Sequence, residues 1–363
     1  MILVTGATGF IGRAVVGRLV AAGRRLAVLA RGRDGASGRA RVTAALGAAL
    51  GERVDVVEAD LADGGPAAGD LRRLRGAIDT VIHCAGDTSF APAALAPFVA
   101  GHVHGPLALL HALAGDRLTR WVQLSTAFVC GDRSGTVRER EGDCGQRFHN
   151  VYERVKLQAE MAVRAAGEAA GVDVRVLRPS IVVGAAPATA GGNPSNLFFD
   201  FIRFAAALAR WPGGGARLRI EGAPRAPFNI VPLEYVAEAT VALAGQPDAG
   251  GGTFHLVVRQ APSQAAVLEM LVERLDVRGL SLVDAGAVVL ADPSPLERRV
   301  ARMLEPYRAY LTQHVSFDDA AAATALAGCG LAPPTLAAAD VQRLIDLALL
   351  TDAPAATSLE TTP

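Results

Sequence analysis

The chain all but lacks lysine: of 36 lysines and arginines in 363 residues, only Lys156 is a lysine. Acidic residues also number 36, so the formal net charge is zero and no global field favours nucleic acid or an anionic membrane surface. Cysteines are few and scattered. Cys84, Cys130, Cys144 and Cys329 form no CxxC pair, which argues against a disulfide framework and against a zinc site. A cytoplasmic, reducing setting is the expectation. No apolar run reaches the roughly 18 residues a membrane-spanning helix needs, and with a first strand expected from residue 2 no signal peptide is expected. No internal repeat points to a solenoid or propeller, and no G-x-S-x-G marks a serine hydrolase.

What is present is an alternation of short apolar runs with longer Ala- and Leu-rich segments. Strands are predicted at "MILVTG", "RLAVLA", "VDVVEAD", "DTVIHCAG", "RWVQLST" and "VDVRVLRPS", and helices near residues 10–22, 39–50, 91–113 and 148–170. Continuous Val/Ile/Leu strands suit a sheet covered on both faces, which in a β-α-β series means an α/β fold with a doubly wound parallel sheet. The expected strand order is 3-2-1-4-5-6 or close to it. After Gly184 the pattern loosens into "AAPATAGGNPSN", while "FNIVPLEYVAEATVAL" and "GTFHLVV" read as a return to the sheet. The expected division is a nucleotide-binding domain of 1–184 and 227–258, a smaller discontinuous substrate lobe of 185–226 and 259–350, and a disordered tail of 351–363.

"LVTGATGFIG" sets Gly6, Gly9 and Gly12 three apart between a strand and an amphipathic helix. Glycines permit a tight turn and close backbone approach, and the helix amino end offers free N–H groups and a positive dipole to phosphates. With Thr8, Phe10 and Ile11 this turn is the expected diphosphate cradle. The second strand ends in "VLARGRDG", where an acidic residue would bind ribose hydroxyls. Arg31 and Arg33 stand there instead, and their forks suit a 2′-phosphate, so NADP is expected ahead of NAD. Asp60 and Leu61 are placed beside the adenine, and Ala85 and Gly86 where the backbone approaches the cofactor.

The single lysine follows Tyr152 by four residues in "NVYERVKLQAE". On a helix the two side chains share a face. A tyrosine, with an ordinary pKa near 10, is a poor proton carrier at neutral pH, and a neighbouring ammonium is expected to bring it closer to working range. Arginine would do this less well, which explains a lysine retained against the arginine bias. At the end of the fifth strand, "QLSTAFVCG" offers Thr126 to hold a substrate carbonyl, with Ser125 beneath it. The alternative for both is a hydroxyl capping a strand end.

Together "ILVTGATGFIG", "VIHCAGDTSF", "LSTAFVCG", "NVYERVKLQAE", "VLRPSIVVG" and "FNIVPLEYVAEA" resemble the extended short-chain dehydrogenases/reductases. Within them the chain looks like the branch of fatty acyl-CoA reductases and thioester reductase domains. The resemblance implies a catalytic set of Thr126, Tyr152 and Lys156, with Pro179 and Ser180 near the nicotinamide. It implies NADPH-dependent reduction of a hydrophobic acyl thioester, as an acyl-CoA or on a carrier protein, to an aldehyde and onward to an alcohol. The other readings are a ketone or alcohol dehydrogenase and a nucleotide-sugar epimerase. A homodimer is also implied. One departure stands in "AGHVHGPLALLHAL": the family usually has asparagine where His102 stands and threonine where Pro106 stands. A histidine on a helix is more often structural than part of a relay, and neither His102 nor His104 has partners suited to a metal. The lobe segment "NLFFDFIRFAAALARW" gathers Phe198, Phe199, Phe201 and Phe204 in a chain with 5% aromatics, and reads as a core helix or a greasy pocket wall.

Overall fold

The computed structural model describes residues 1–47, 53–63, 65, 68–184, 196–210, 217–246, 250–285 and 292–351. The Gly/Pro stretch at 185–195 and the tail beyond 351 lie outside them. Two compact units emerge, one of Met1–Val182, Asn229–Arg259 and Gln313–Thr335, the other of Val183–Phe228, Gln260–Thr312 and Leu336–Pro363.

The first unit is built on β1 (Ile2–Thr5), β2 (Leu26–Ala30), β3 (Val54–Glu58), β4 (Thr80–His83), β5 (Arg120–Leu124), β7 (Asp173–Pro179) and β11 (Gly252–Leu256). These pair throughout in parallel, in the order β11-β7-β5-β4-β1-β2-β3. The strand order read from sequence holds, with one further strand at the β7 edge. β1, β2 and β4 are buried along their whole length, as strands covered on both faces must be. On one side Leu3, Leu109, Leu110, Leu113, Trp121, Val163 and Val176 form a continuous core. Trp121 is fully buried and its indole N–H donates to Gln123 Oε1 at 2.8 Å, so its area is buried without an orphaned donor.

The connecting helices are α1 (Phe10–Ala21), α2 (Gly38–Leu46), α3 (Ala68–Arg75), α4 (Leu95–Val99), α5 (Gly105–Leu113) and α6 (Val151–Ala170). The sequence reads 91–113 as one helix. Between α4 and α5, however, Ala100–His104 is a π turn in which the Gly105 N–H donates to the Ala100 carbonyl, one residue further back than in an α-helix. Pro106 accounts for it: proline has no N–H for the residue-102 carbonyl and its ring crowds that carbonyl. Gly105 is itself required, because a Cβ there would stand 2.3 Å from the Leu61 carbonyl oxygen.

The domain division needs one correction. Residues 313–335, expected in the lobe, belong to the first unit. There β13 (Val315–Phe317) pairs in parallel with β6 (Gly135–Val137), and α12 (Ala320–Ala327) packs on β11. The Glu139 carboxylate fixes this return, accepting from the backbone N–H of His255 at 2.8 Å and of Ala322 at 2.9 Å. In the second unit β9 (Leu218–Gly222) pairs with β12 (Leu280–Asp284). Phe198, Phe199 and Phe201 of α7 (Leu197–Ala209) are buried there, with Phe198 and Phe199 edge-on at 5.5 Å, so these phenylalanines are core.

Candidate active site

The β1–α1 turn combines two kinds of close approach. Gly6 has φ +71°, and a Cβ on it would lie 2.6 Å from the Ala85 nitrogen. A Cβ on Gly12 would lie 2.1 Å from the Gly6 carbonyl oxygen. Only glycine fits either place. Helix α1 starts after Gly9, which has no side chain to cap it, so the cap residue itself does not occupy the helix end that a phosphate would use. Arg13, one turn in, is buried, donates Nε–H to the Gly9 carbonyl at 3.3 Å, and has a buried Nη1 without a partner among the described residues. A buried, unneutralised guanidinium is costly unless an anion joins it. The turn therefore fits a dinucleotide diphosphate. Thr8, Phe10 and Ile11 lie on the same turn, between and beside the glycines.

Around the end of β2 the arginines are arranged differently from the sequence reading. Arg31 is held by Asp60 at 3.1 Å, and Arg33 turns to its neighbour Asp34 at 3.3 Å. A third arginine, Arg41 of α2, donates to the Arg31 carbonyl at 2.7 Å and to Thr8 Oγ1 at 3.3 Å, joining the arginine cluster to the glycine turn. Sequence reasoning missed Arg41, which is one arginine of many until the helix places it. Asp60 also accepts from the Ala62 N–H at 2.9 Å, and Leu61 is buried in the core against Gly105. Ala85 donates its N–H to Thr5 Oγ1 at 3.2 Å.

Helix α6 supplies the tyrosine and lysine. Asn150 caps it, accepting from the Glu153 N–H at 3.0 Å, while the buried Glu153 carboxylate accepts the His149 N–H at 2.9 Å. Lys156 is buried and its ammonium donates to the Leu124 carbonyl at 2.7 Å, at the end of β5. Burial pulls its pKa down to about 8, with Glu160 and Cys84 opposing. Tyr152 departs from the sequence expectation: burial, with Glu153 adding to it, raises the phenol above its ordinary value. Desolvation penalises a phenolate more than the ammonium relieves it, so the phenol holds its proton and can serve as an acid.

Thr126 and Ser125 stand at the same strand end, both buried. Thr126 Oγ1 accepts from the Phe128 N–H at 3.3 Å as the cap of a short 3₁₀ turn, which leaves its own O–H proton to donate. Ser125 Oγ and Ser180 Oγ are buried without partners among the described residues. Pro179 ends β7 and the Ser180 N–H donates to the Leu256 carbonyl at 3.3 Å. Gly86 faces the lysine and His102: a Cβ there would be 3.1 Å from His102 Nε2 and 3.8 Å from Lys156 Nζ. All these residues lie in the first unit. A cavity of about 230 Å³ in the second unit, lined by Arg219, Glu221, Glu297 and Arg308 among others, contains none of them.

The family model for male sterility protein matches residues 4–240. A carboxylic acid reductase of Mycobacterium marinum is 25% identical over 290 residues, covering 70% of this chain and 24% of that protein. The chain thus spans about a quarter of the length of that curated relative. The terminal R domain from the myxalamid PKS-NRPS biosynthetic pathway superposes with a TM-score of 0.77 at 23% identity, over 95% of this chain and 89% of that one. A thiolation-reductase di-domain from an archaeal non-ribosomal peptide synthetase superposes with a TM-score of 0.73 at 20% identity, over 97% and 75% of the two chains.

Proposed function

The chain belongs to the male sterility protein family and is an NAD(P)-dependent oxidoreductase of the extended short-chain dehydrogenase/reductase type, and from that premise we propose that it reduces a hydrophobic acyl thioester with NADPH. The product is the aldehyde, and a second round gives the alcohol. The observation that carries the reading is the one lysine of the chain, buried on α6 four residues after Tyr152 and tied to the Leu124 carbonyl that ends β5, two residues before Thr126.

Gly6, Thr8, Gly9, Phe10, Ile11, Gly12 and Arg13 would hold the diphosphate, and Arg31, Arg33 and Arg41 the 2′-phosphate, with Asp60 orienting Arg31. Leu61 would border the adenine, and Ala85, Gly86, Ser125, Pro179 and Ser180 the nicotinamide half. The bound reduced nicotinamide supplies a hydride. Thr126 donates its O–H to the substrate carbonyl oxygen, and Tyr152 gives that oxygen its proton as charge develops there. Lys156 keeps a positive charge beside the phenol. The resulting thiohemiacetal breaks its C–S bond, releasing thiol and aldehyde. The solved R domain and thiolation-reductase di-domain support a carrier-bound substrate, and the curated relative's name a carboxyl-level one.

The test is product analysis with NADPH and a panel of acyl-CoA and acyl-pantetheine thioesters, run beside Tyr152→Phe. Aldehyde or alcohol formed by the wild type, with the variant down by roughly 10²–10⁴-fold, is the expected result. Turnover of ketones or nucleotide sugars but of no thioester would overturn it.

A further inference from the structure

A buried ion pair joins α6 to the end of β7. Tyr152, Lys156 and Glu160 stand four residues apart, so they line one face of α6. Glu160 and its partner Arg178 are each 2% exposed. The Arg178 fork meets the carboxylate with two prongs: Nε–H donates to Oε1 at 3.0 Å and Nη2–H to Oε2 at 2.7 Å. The remaining nitrogen, Nη1, donates to the Glu141 carbonyl at 2.7 Å and to the Glu139 carbonyl at 3.4 Å.

The charges nearby are engaged elsewhere. The Glu139 carboxylate accepts from the backbone N–H groups of His255 and Ala322, and that of Glu141 from Arg133 at 2.7 Å. On α6, Arg164 donates to the Gly252 carbonyl at 2.9 Å and to Thr253 Oγ1 at 2.7 Å. His255, the neighbour of Arg178 across β11, is kept neutral by burial, with a pKa of about 4. Among the described residues, Arg178 is therefore the one cation in an ion pair with Glu160.

We infer that Arg178 is a positioning residue: its two-pronged bond to Glu160 fixes the end of β7 and the 139–141 backbone against α6, and so sets Tyr152 and Lys156 relative to Ser125 and Thr126. The residues flanking Arg178 carry the effect. The carbonyl of Leu177 accepts the Ser125 N–H at 2.7 Å, and the Ser180 N–H donates to the Leu256 carbonyl at 3.3 Å. Stability alone does not account for such a pair, because taking two ions out of water is costly and an apolar pair of similar volume often holds a fold as well. What an apolar pair lacks is direction. The planar guanidinium has its donors set at fixed angles, and here they reach α6 on one side and 139–141 on the other; a lysine would offer a point charge instead. The 139–141 backbone follows β6, which pairs with β13, so the second return of the chain is braced on the same guanidinium.

The effect on rate rests on the proposed reductase function; the joint itself does not. The test is the double variant Arg178→Met/Glu160→Leu, which replaces the ion pair with apolar side chains, compared with wild type by thermal unfolding, by amide hydrogen exchange read by mass spectrometry, and by kcat and KM with NADPH and an acyl thioester. The thermal midpoint is expected to stay within about 5 °C. Peptides covering 138–142 and 177–181 are expected to exchange roughly tenfold faster while those of β1 and β2 are unchanged. The expected kcat is lower by about 10–100-fold, with KM within about threefold. Arg178→Lys, which keeps the charge without the fork, is expected to lose kcat as well. Should the double variant not fold, Glu160→Asp, which draws the carboxylate back by one methylene, is expected to change exchange and kcat in the same direction. A stable variant with wild-type exchange and kcat, a fall in kcat without faster local exchange, or wild-type kcat in Arg178→Lys overturns the inference. If the wild type reduces no thioester but exchange changes as stated, the functional reading fails and the joint stands.

Discussion

Lys156 carries a charge that its surroundings disfavour, and that gives the site a pH signature. Burial lowers its pKa from the ordinary lysine value to about 8, while Tyr152 keeps its proton well beyond that pH. The ammonium, present below about pH 8, is lost as pH rises through that value. Since kcat/KM reports the free enzyme, it is expected to fall on the alkaline side with a midpoint near 8. A pH–rate profile flat through that range would show that the charge is not needed. The arginines make a second prediction. Arg41 bridges the Arg31 carbonyl and Thr8, and a guanidinium contact to a phosphate contributes about 1.5–3 kcal/mol. Arg41→Ala is expected to weaken NADPH binding by roughly 10–100-fold and leave NADH within about twofold, as read by cofactor fluorescence titration. Equal weakening of both cofactors would remove Arg41 from the 2′-phosphate.

The α4–α5 helix is shaped by what its glycines touch. Gly105 lies against the Leu61 backbone with no room for a Cβ, whereas at Gly101 the nearest atom to a Cβ is the Ala62 Cβ at 3.9 Å. Gly105→Ala is expected to destabilise the protein by about 1–3 kcal/mol, since backbone must move. Gly101→Ala should be neutral or stabilising by up to about 1 kcal/mol, alanine being the better helix former. Denaturant unfolding of the pair checks this, and equal stabilities would contradict the packing described. The same helix shows where the sequence stops being legible. Its existence follows from the apolar pattern, but the π turn depends on Pro106 withholding a donor and on Leu61 pressing from a distant loop. The strands, the glycine turn and the Tyr152–Lys156 spacing are local patterns and could be read directly. The Tyr152 pKa, the place of Arg41 and the partner of Arg31 are set by burial and by residues remote in sequence, so they could not.

At the scale of the molecule, the chain leaves the sheet domain and re-enters it twice, at Asn229–Arg259 and Gln313–Thr335. The first return is visible in the sequence as an apolar strand and helix. The second rests on two three-residue strands and on Glu139 holding the start of α12, signals too short for a pattern reading. Both returns support the unit that holds every catalytic candidate. The proposal that unites these features is chemical: the hydride would go to a thioester carbonyl and a C–S bond would break. The most direct measurement counts thiol released against NADPH consumed for a single purified thioester. The account predicts one thiol for each NADPH when reduction stops at the aldehyde, or one for each two when it continues to the alcohol. NADPH consumption with no thiol released would contradict it.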